Sequence, residues 1–354
     1  MNDNLVKLFT APNAKIKDAM KQMALSAEKI LIVVDKDQHL LGTLTDGDIR
    51  RFILKKGGIK GQIDQCYRKT PIFLQAGDTR DQAKRLMIEN KLEAIPVVDK
   101  DNHVIDILIW TKLFNGRETH VEKIDVPVVI MAGGKGVRLD PFTKILPKPL
   151  IPLGEKPIVE VIMDRYYKWG FYKFILVINH KKEMIKLYFS ENSQPYEIEL
   201  IEEDEYCGTV GGLYLLKAKI RSTFVLTNCD TLLEGDYGDF LNWHIENKNL
   251  LTIIGSHKEV AVPYGVLSMN NGALIKMVEK PKFDLFVNTG TYVMDQNIFN
   301  YLHDNESMDI DKLITKLQSK KANKVGVFPC WGKWFDIGQW DEYKKTLKSM
   351  GIEN

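Results

Sequence analysis

Helix-spaced apolar positions and unbroken β-branched runs alternate along this chain. From residue 126 the alternation is regular. "VPVVIMA" reads as a buried strand that feeds a glycine turn, and "IVEVIMDRYYKWG" has helical spacing and a glycine stop. "KFILVI" then reads as a strand, "KKEMIKLYFSE" as a helix, "IELIEE" as a strand, "VGGLYLLKAKI" as a helix and "TFVLTNCD" as a strand. This βαβ rhythm predicts an α/β domain, Rossmann-like, with a mainly parallel sheet and helices on both faces. Sheets of that kind bind ligands beyond the carboxyl ends of their strands.

The first third repeats itself. "VVDKDQHLLG" begins at Val33 and "VVDKDNHVID" at Val97, and "IKDAMKQM" (16–23) matches "RDQAKRLM" (80–87) at the same offset. Each copy predicts an amphipathic helix, a strand, a DKD turn, a second strand and a closing helix, "DGDIRRFILKK" or "WTKLF". A unit too small to close its own core packs against its copy, so a pseudo-symmetric pair is expected. The polar, charged stretch "GRETHVEKID" (116–125) reads as a linker. The expected division is 1–120 and 121–354.

Composition adds limits. A chain of 354 residues exceeds one ordinary core. Its 49 basic and 47 acidic side chains leave a net charge of +2, which gives no footprint for nucleic acid or an anionic membrane. The longest apolar runs are strand-sized, and "MNDNLVKLFT" lacks a signal-peptide core. Cys66, Cys207, Cys229 and Cys330 show neither CxxC pairing nor metal spacing, so small buried thiols in a reduced, cytoplasmic setting are expected.

The chemistry concentrates in "MAGGKGVRLDPFTKILPKPL" (131–150). Gly133, Gly134 and Gly136 let backbone pass close to a ligand and turn N–H groups toward it. Arg138 and Lys148 add fixed positive charge nearby, a combination suited to a polyphosphate. The GGxG spacing is not the dinucleotide fingerprint, and no GK[ST] follows to make a P-loop.

The stretch resembles the signature of the sugar-1-phosphate nucleotidyltransferases, G-G-x-G-x-R-L-x-P-x-T-x-x-x-P-K-P-L. The likeness continues in order through "CGTVGGL" (207–213), "LTNCD" (226–230), "PYGVL" (263–267), "VEKP" (278–281), "VNTGTYV" (287–293) and "WFDIGQWDEY" (334–343). It implies that a nucleoside triphosphate lies on Ala132, Gly133, Gly134, Gly136, Gly208 and Thr209. Lys148 then contacts the α-phosphate region, and Arg138 holds the leaving pyrophosphate. Gly265, Glu279, Lys280 and Asn288 take the sugar 1-phosphate, with Lys280 on its phosphate. Asp230 and Asp336 are the implied ligands of Mg²⁺, a hard ion suited to carboxylate oxygens. Taken singly, each aspartate reads equally well as a cap or turn residue.

Residues 1–120 resemble a tandem CBS (α+β) module. "GTLTDGDI" (42–49) matches G-x-x-T-x-x-D-[IL], which implies an adenine nucleotide on Thr45 and Asp48. The second copy departs from this, with Ile109 and Lys112 at those positions. Asp48 as a simple helix cap is the alternative, and the module also serves as a candidate homodimerisation block. CBS domains ahead of a transferase resemble bacterial enzymes of legionaminic acid biosynthesis, which implies GTP and a glucosamine-type sugar 1-phosphate. UTP, CTP and dTTP stay open, as does a non-catalytic, nucleotide-sensing subunit.

Overall fold

A computed structural model of the protein describes residues 3–26, 28–56, 60–114, 122–304, 306–320 and 324–352. Residues 116–121 of the expected linker lie outside these. The chain forms two compact units, one from 1–116 with 259–283 and the other from 117–258 with 284–354.

In the first unit the two repeats form matching three-stranded sheets. Phe9–Thr10, Ile30–Val34 and Leu40–Thr45 make one, and Leu74–Gln75, Ala94–Val98 and Val104–Ile109 the other. Strand alternation divides the apolar residues between two cores. Ile30, Ile32 and Val34 pack with Ala94, Val98, Val104 and Ile109 of the other copy. Leu31 and Val33 face the first copy's own helices through Ile16, Ala19, Met23, Ile49 and Phe52. Helices Asp46–Lys56 and Trp110–Phe114 have the expected bounds.

The two DKD turns join the copies. Asp35 Oδ1 accepts from the Asp37 and His39 amides at 2.9 Å, and Asp99 Oδ1 accepts from the Asp101 and His103 amides at 3.0 and 2.9 Å. Gln38 and Asn102 take left-handed conformations. The Leu40 amide then donates to Asn102 O (2.9 Å) and the Val104 amide to Gln38 O (3.1 Å), which leaves the rings of His39 and His103 stacked at 4.3 Å.

The second unit is built on a seven-stranded sheet. Its order is Glu197–Glu202, Lys173–Ile178, Val128–Met131, Phe224–Asn228, Lys282–Met294, Leu251–Ala261 and Val325–Cys330. The first four are mutually parallel, and Lys282–Met294 runs antiparallel to Phe224–Asn228. This matches the expected α/β architecture. Val128–Met131 lies between the second and fourth strands of the series, where connections turn to opposite sides and a crevice opens at the strand ends.

One expected element differs. The helix read over 210–220 is a single α-turn, Gly208–Gly211, followed by a 3₁₀ stretch, Gly212–Leu216. Gly211 and Gly212 are the cause. A Cβ on them would stand 2.4 Å from Glu306 O and 2.5 Å from Glu203 Oε1, so the glycines admit tertiary groups against the backbone and weaken the helix.

Candidate functional site

A cavity of about 550 Å³ opens at the carboxyl ends of the parallel strands. Its floor is the glycine bend. Ala132, fully buried, ties the bend to the sheet by donating to Val177 O at 2.8 Å. Gly136 has φ +66°, and a Cβ there would meet Lys148 Cβ at 2.9 Å and Thr143 Cγ2 at 3.0 Å. The missing side chain lets the Lys148 segment fold back over the bend.

Three basic residues line the cavity, Lys135, Arg138 and Lys148, and the last two face it in different ways. Arg138 is exposed along its rim. Lys148, 13% exposed, forms an ion pair with Asp230. Burial opposes its charge, and the neighbouring Cys229 and Asp230, the latter also hydrogen-bonded to it, outweigh that, so its pKa lies above the ordinary lysine value. Cys229 beside them is buried, which pushes its thiol up to about 12 and makes it inert at neutral pH.

Asp230 and Asp336 converge. The strand Thr231–Leu233 pairs antiparallel with Trp334–Asp336, with Thr231 opposite Asp336. The Ile337 amide donates to Asp230 O at 2.9 Å and the Gly338 amide to Asp336 Oδ1 at 3.1 Å. A Cβ on Gly338 would fall 2.2 Å from Asp230 Oδ2 and 3.0 Å from Asp336 Oδ1. The glycine thus leaves a small space where oxygens of both carboxylates meet. That donor set suits a hard divalent cation. The closing helix Trp340–Ser349 braces the site: Trp340 Nε1 donates to Asp140 O at 2.6 Å and packs on Phe142.

On the far wall, Gly208 has φ +81°, and a Cβ there would stand 2.6 Å from Met308 O. The Thr209 amide donates to Asp309 Oδ1 at 3.2 Å, and Thr209 Oγ1 accepts from the Ile310 amide at 2.9 Å. The Thr209 hydroxyl oxygen is therefore engaged in holding the start of helix Ile310–Gln318, while its residue lines the cavity.

Glu203 carries a signal the motifs missed. It is 2% exposed and follows the strand Glu197–Glu202 at its carboxyl end. Its Oε1 accepts from the Cys207 amide at 3.0 Å, but Oε2 has no hydrogen-bond partner among the described residues. That oxygen lies 2.9 Å from where a Cβ on Gly133 would stand. Burial raises its carboxyl pKa above the ordinary value. A buried acceptor without a donor, behind the wall of a ligand cavity, is costly unless a ligand supplies the donor. Asn179, Tyr206 and Asn228 also line this cavity and escaped sequence reasoning.

The structure therefore gathers Gly133, Gly134, Gly136, Arg138, Lys148, Gly208, Thr209 and Asp230 on one cavity, with Asp336 beside Asp230. Asn288 lies on the strand Lys282–Met294, where it donates to the Tyr292 hydroxyl at 2.7 Å and accepts from the Gly290 amide at 3.1 Å. Gly265, Glu279 and Lys280 fall in the segment that groups with the first unit. There, a Cβ on Gly265 would stand 3.0 Å from Glu279 Oε2, and the Lys280 amide donates to Tyr264 O at 3.2 Å.

Within the first unit, Thr45 and Asp48 bond each other. Asp48 Oδ2 accepts from the Thr45 amide (2.8 Å) and hydroxyl (2.6 Å), and the Asp48 amide donates back to Thr45 Oγ1 at 3.1 Å. A cavity of about 750 Å³ opens beside Ile109 and Lys112 of the second copy, lined from the first copy by Leu5, Lys7, Ser26 and Glu28. No helix among the described residues is long and apolar enough to cross a membrane.

Comparison with known proteins finds a family for each part of the chain. The nucleotidyl transferase family matches residues 127–350, and the CBS domain family matches 1–55 and 63–115. The chain is 26% identical over 243 residues to a UTP–glucose-1-phosphate uridylyltransferase of Synechocystis sp., covering 63% of this chain and 62% of that one. It is 29% identical over 243 residues to a probable glucose-1-phosphate cytidylyltransferase of Bacillus subtilis, covering 62% and 93%. It is also 30% identical over 222 residues to the bifunctional protein GlmU of Methanococcus aeolicus, of which it spans about half. The crystal structure of HddC from Yersinia pseudotuberculosis complexed with GMP-PN superposes with a TM-score of 0.51 at 26% identity, covering 64% of this chain and 99% of that one. The chain belongs to the nucleotidyl transferase family and carries a pair of CBS domains ahead of the transferase domain.

Proposed function

We propose that the protein transfers a nucleotidyl group from a nucleoside triphosphate, GTP by preference, to a sugar 1-phosphate, releasing pyrophosphate and an NDP-sugar. The observation that carries this reading is the meeting of the glycine bend with Arg138, Lys148 and the Asp230–Asp336 pair at one cavity. A divalent cation on Asp230 and Asp336, magnesium in this reading, supplies positive charge beside the reacting phosphates.

The sugar phosphate oxygen attacks the α-phosphorus. The bond to the bridging oxygen breaks, and its electron pair leaves with pyrophosphate. The attacking oxygen is already anionic, so no side chain needs to act as nucleophile or base. Ala132, Gly133, Gly134, Gly136, Gly208 and Thr209 line the nucleotide. Lys148 neutralises charge at the α-phosphate, and Arg138 holds the departing pyrophosphate. Gly265, Glu279, Lys280 and Asn288 receive the sugar 1-phosphate, of glucosamine type in this reading. Residues 121–354 are the catalytic domain, and 1–120 a module that binds an adenine nucleotide at Thr45 and Asp48 and pairs with a second copy.

Glu203 supports the choice of GTP. Its carboxylate presents acceptors only, and guanine alone among the common bases offers two adjacent donors, N1–H and the 2-amino group. HddC, whose complex contains GMP-PN, points the same way. The uridylyl- and cytidylyltransferase names of other relatives favour a second reading in which UTP or CTP takes this place.

A pyrophosphate-release screen of GTP, UTP, CTP and dTTP against glucose-type and glucosamine-type sugar 1-phosphates decides between them. The expected result is highest kcat/KM with GTP. Preference for UTP or CTP would remove Glu203 from base selection, and no release from any pair would overturn the transferase reading.

A further inference from the structure

The hairpin that carries Gly265, Glu279 and Lys280 has little packing of its own. Its strands, Val266–Asn270 and Ala273–Val278, are almost entirely exposed, with Leu267, Met269, Leu274 and Met277 each more than half open to solvent. An isolated two-stranded hairpin is marginal in water. Its orientation has to be set at the root.

The root is tied by charge to a helix of the repeat module. Glu259 lies two residues before the end of one of the two long strands that lead into the hairpin, Leu251–Ala261, and Lys282 begins the other. Lys282 Nζ donates to Glu259 Oε1 at 2.8 Å, and the Val262 amide closes the root by donating to Pro281 O at 2.9 Å. Glu259 Oε2 pairs with Arg50 on the helix Asp46–Lys56, and the same guanidinium pairs with Asp46 in the helix's first turn. Arg50 and Glu259 are about one quarter exposed, which limits solvent screening of the pair. A planar guanidinium shared between two carboxylates fixes direction as well as distance. The helix that begins at the Thr45–Asp48 turn thus reaches the base of the hairpin through one side chain.

We propose that Arg50 and Glu259 are positioning residues for the sugar 1-phosphate. They strap the hairpin so that Glu279 and Lys280 are held ready, and they make sugar-phosphate affinity the parameter the repeat module controls. This rests on the assignment of Glu279 and Lys280 to the sugar 1-phosphate.

Arg50→Met and Arg50→Lys in the full chain test it, with GTP and the best sugar 1-phosphate from the screen. In Arg50→Met, KM for the sugar 1-phosphate is expected to rise about threefold to tenfold, with kcat and KM for the triphosphate unchanged. Arg50→Lys, which keeps a cation, should recover most of the loss. Hydrogen exchange of the amides over 262–281 reads the strap without reference to turnover and should quicken in Arg50→Met. Unchanged exchange would overturn the strap. Faster exchange with both KM values moving together, or neither, would overturn the positioning role. A wild-type enzyme silent with every substrate pair would defeat the transferase reading, while the exchange rates would still decide the strap.

Discussion

Glu203 concentrates the tension between stability and specificity in one side chain. Burial raises its carboxyl pKa, so the folded protein holds that proton more tightly than the unfolded chain does. Folding stability therefore falls as pH rises from the ordinary glutamate value of 4.5 through the raised one, and the cost stays in place above it. Glu203→Gln removes the ionised form. In the absence of nucleotide it should raise Tm at neutral pH by about 2–4 °C, corresponding to roughly 1 kcal/mol, and have little effect near pH 4. With Oε1 still accepting from Cys207, the amide sets a donor where an acceptor had been. The ratio of kcat/KM for GTP over UTP should then fall by about tenfold or more in competition assays. An unchanged ratio would take Glu203 out of base recognition. Arg138 and Lys148 stood out in the sequence because polyphosphate chemistry restricts which side chains can serve beside a glycine bend, whereas Asp230 stood out only through the signature it resembles. Glu203 did not stand out. "IELIEE" reads as a strand running through it, whereas the strand stops at Glu202 and leaves Glu203 at the ligand-binding end.

At the scale of elements, the strand Trp334–Asp336 and the turn after it make the clearest case of geometry serving chemistry. Pairing with Thr231–Leu233 brings two aspartates more than a hundred residues apart in sequence to a common point, and Gly338 keeps that point open. Gly338→Ala would insert a methyl group 2.2 Å from Asp230 Oδ2. Displacing a carboxylate by even 1 Å suffices for a loss on the order of 100-fold in kcat. Mn²⁺ binding, followed by its magnetic resonance signal, should weaken while the far-ultraviolet circular dichroism stays that of the parent. Near-parental turnover would show that the two aspartates do not act jointly. Periodicity found the parallel strands and most helices, because alternation and helical spacing follow from burial of one face. It misread 210–220, where Leu213 and Leu216 sit at apparent helical spacing but Gly211 and Gly212 are shaped by approach of Glu306 and Glu203, contacts no local pattern encodes.

For the whole molecule, the repeat was visible in sequence because the DKD turns each perform the same local task, an Asp side chain accepting amides two and four residues on. What sequence could not reveal is that 259–283, within the transferase family's own match, groups with the repeats. Within that grouping, Arg50 pairs with Glu259, some two hundred positions away in sequence. It bears on what a fragment of residues 122–354 should do. The seven-stranded sheet and its core of Val129, Val177, Leu213, Leu226 and Tyr292 stay intact, so the fragment should fold and bind GTP with affinity close to that of the full chain. It lacks Arg50, and its hairpin has no helix to hold it. Its KM for the sugar 1-phosphate should therefore exceed the full chain's by at least as much as in Arg50→Met, while nucleotide affinity by calorimetry remains within about twofold. A fragment that matched the full chain in both constants would mean that the repeats leave catalysis untouched. One that failed to bind GTP would mean that they support the nucleotide cavity itself.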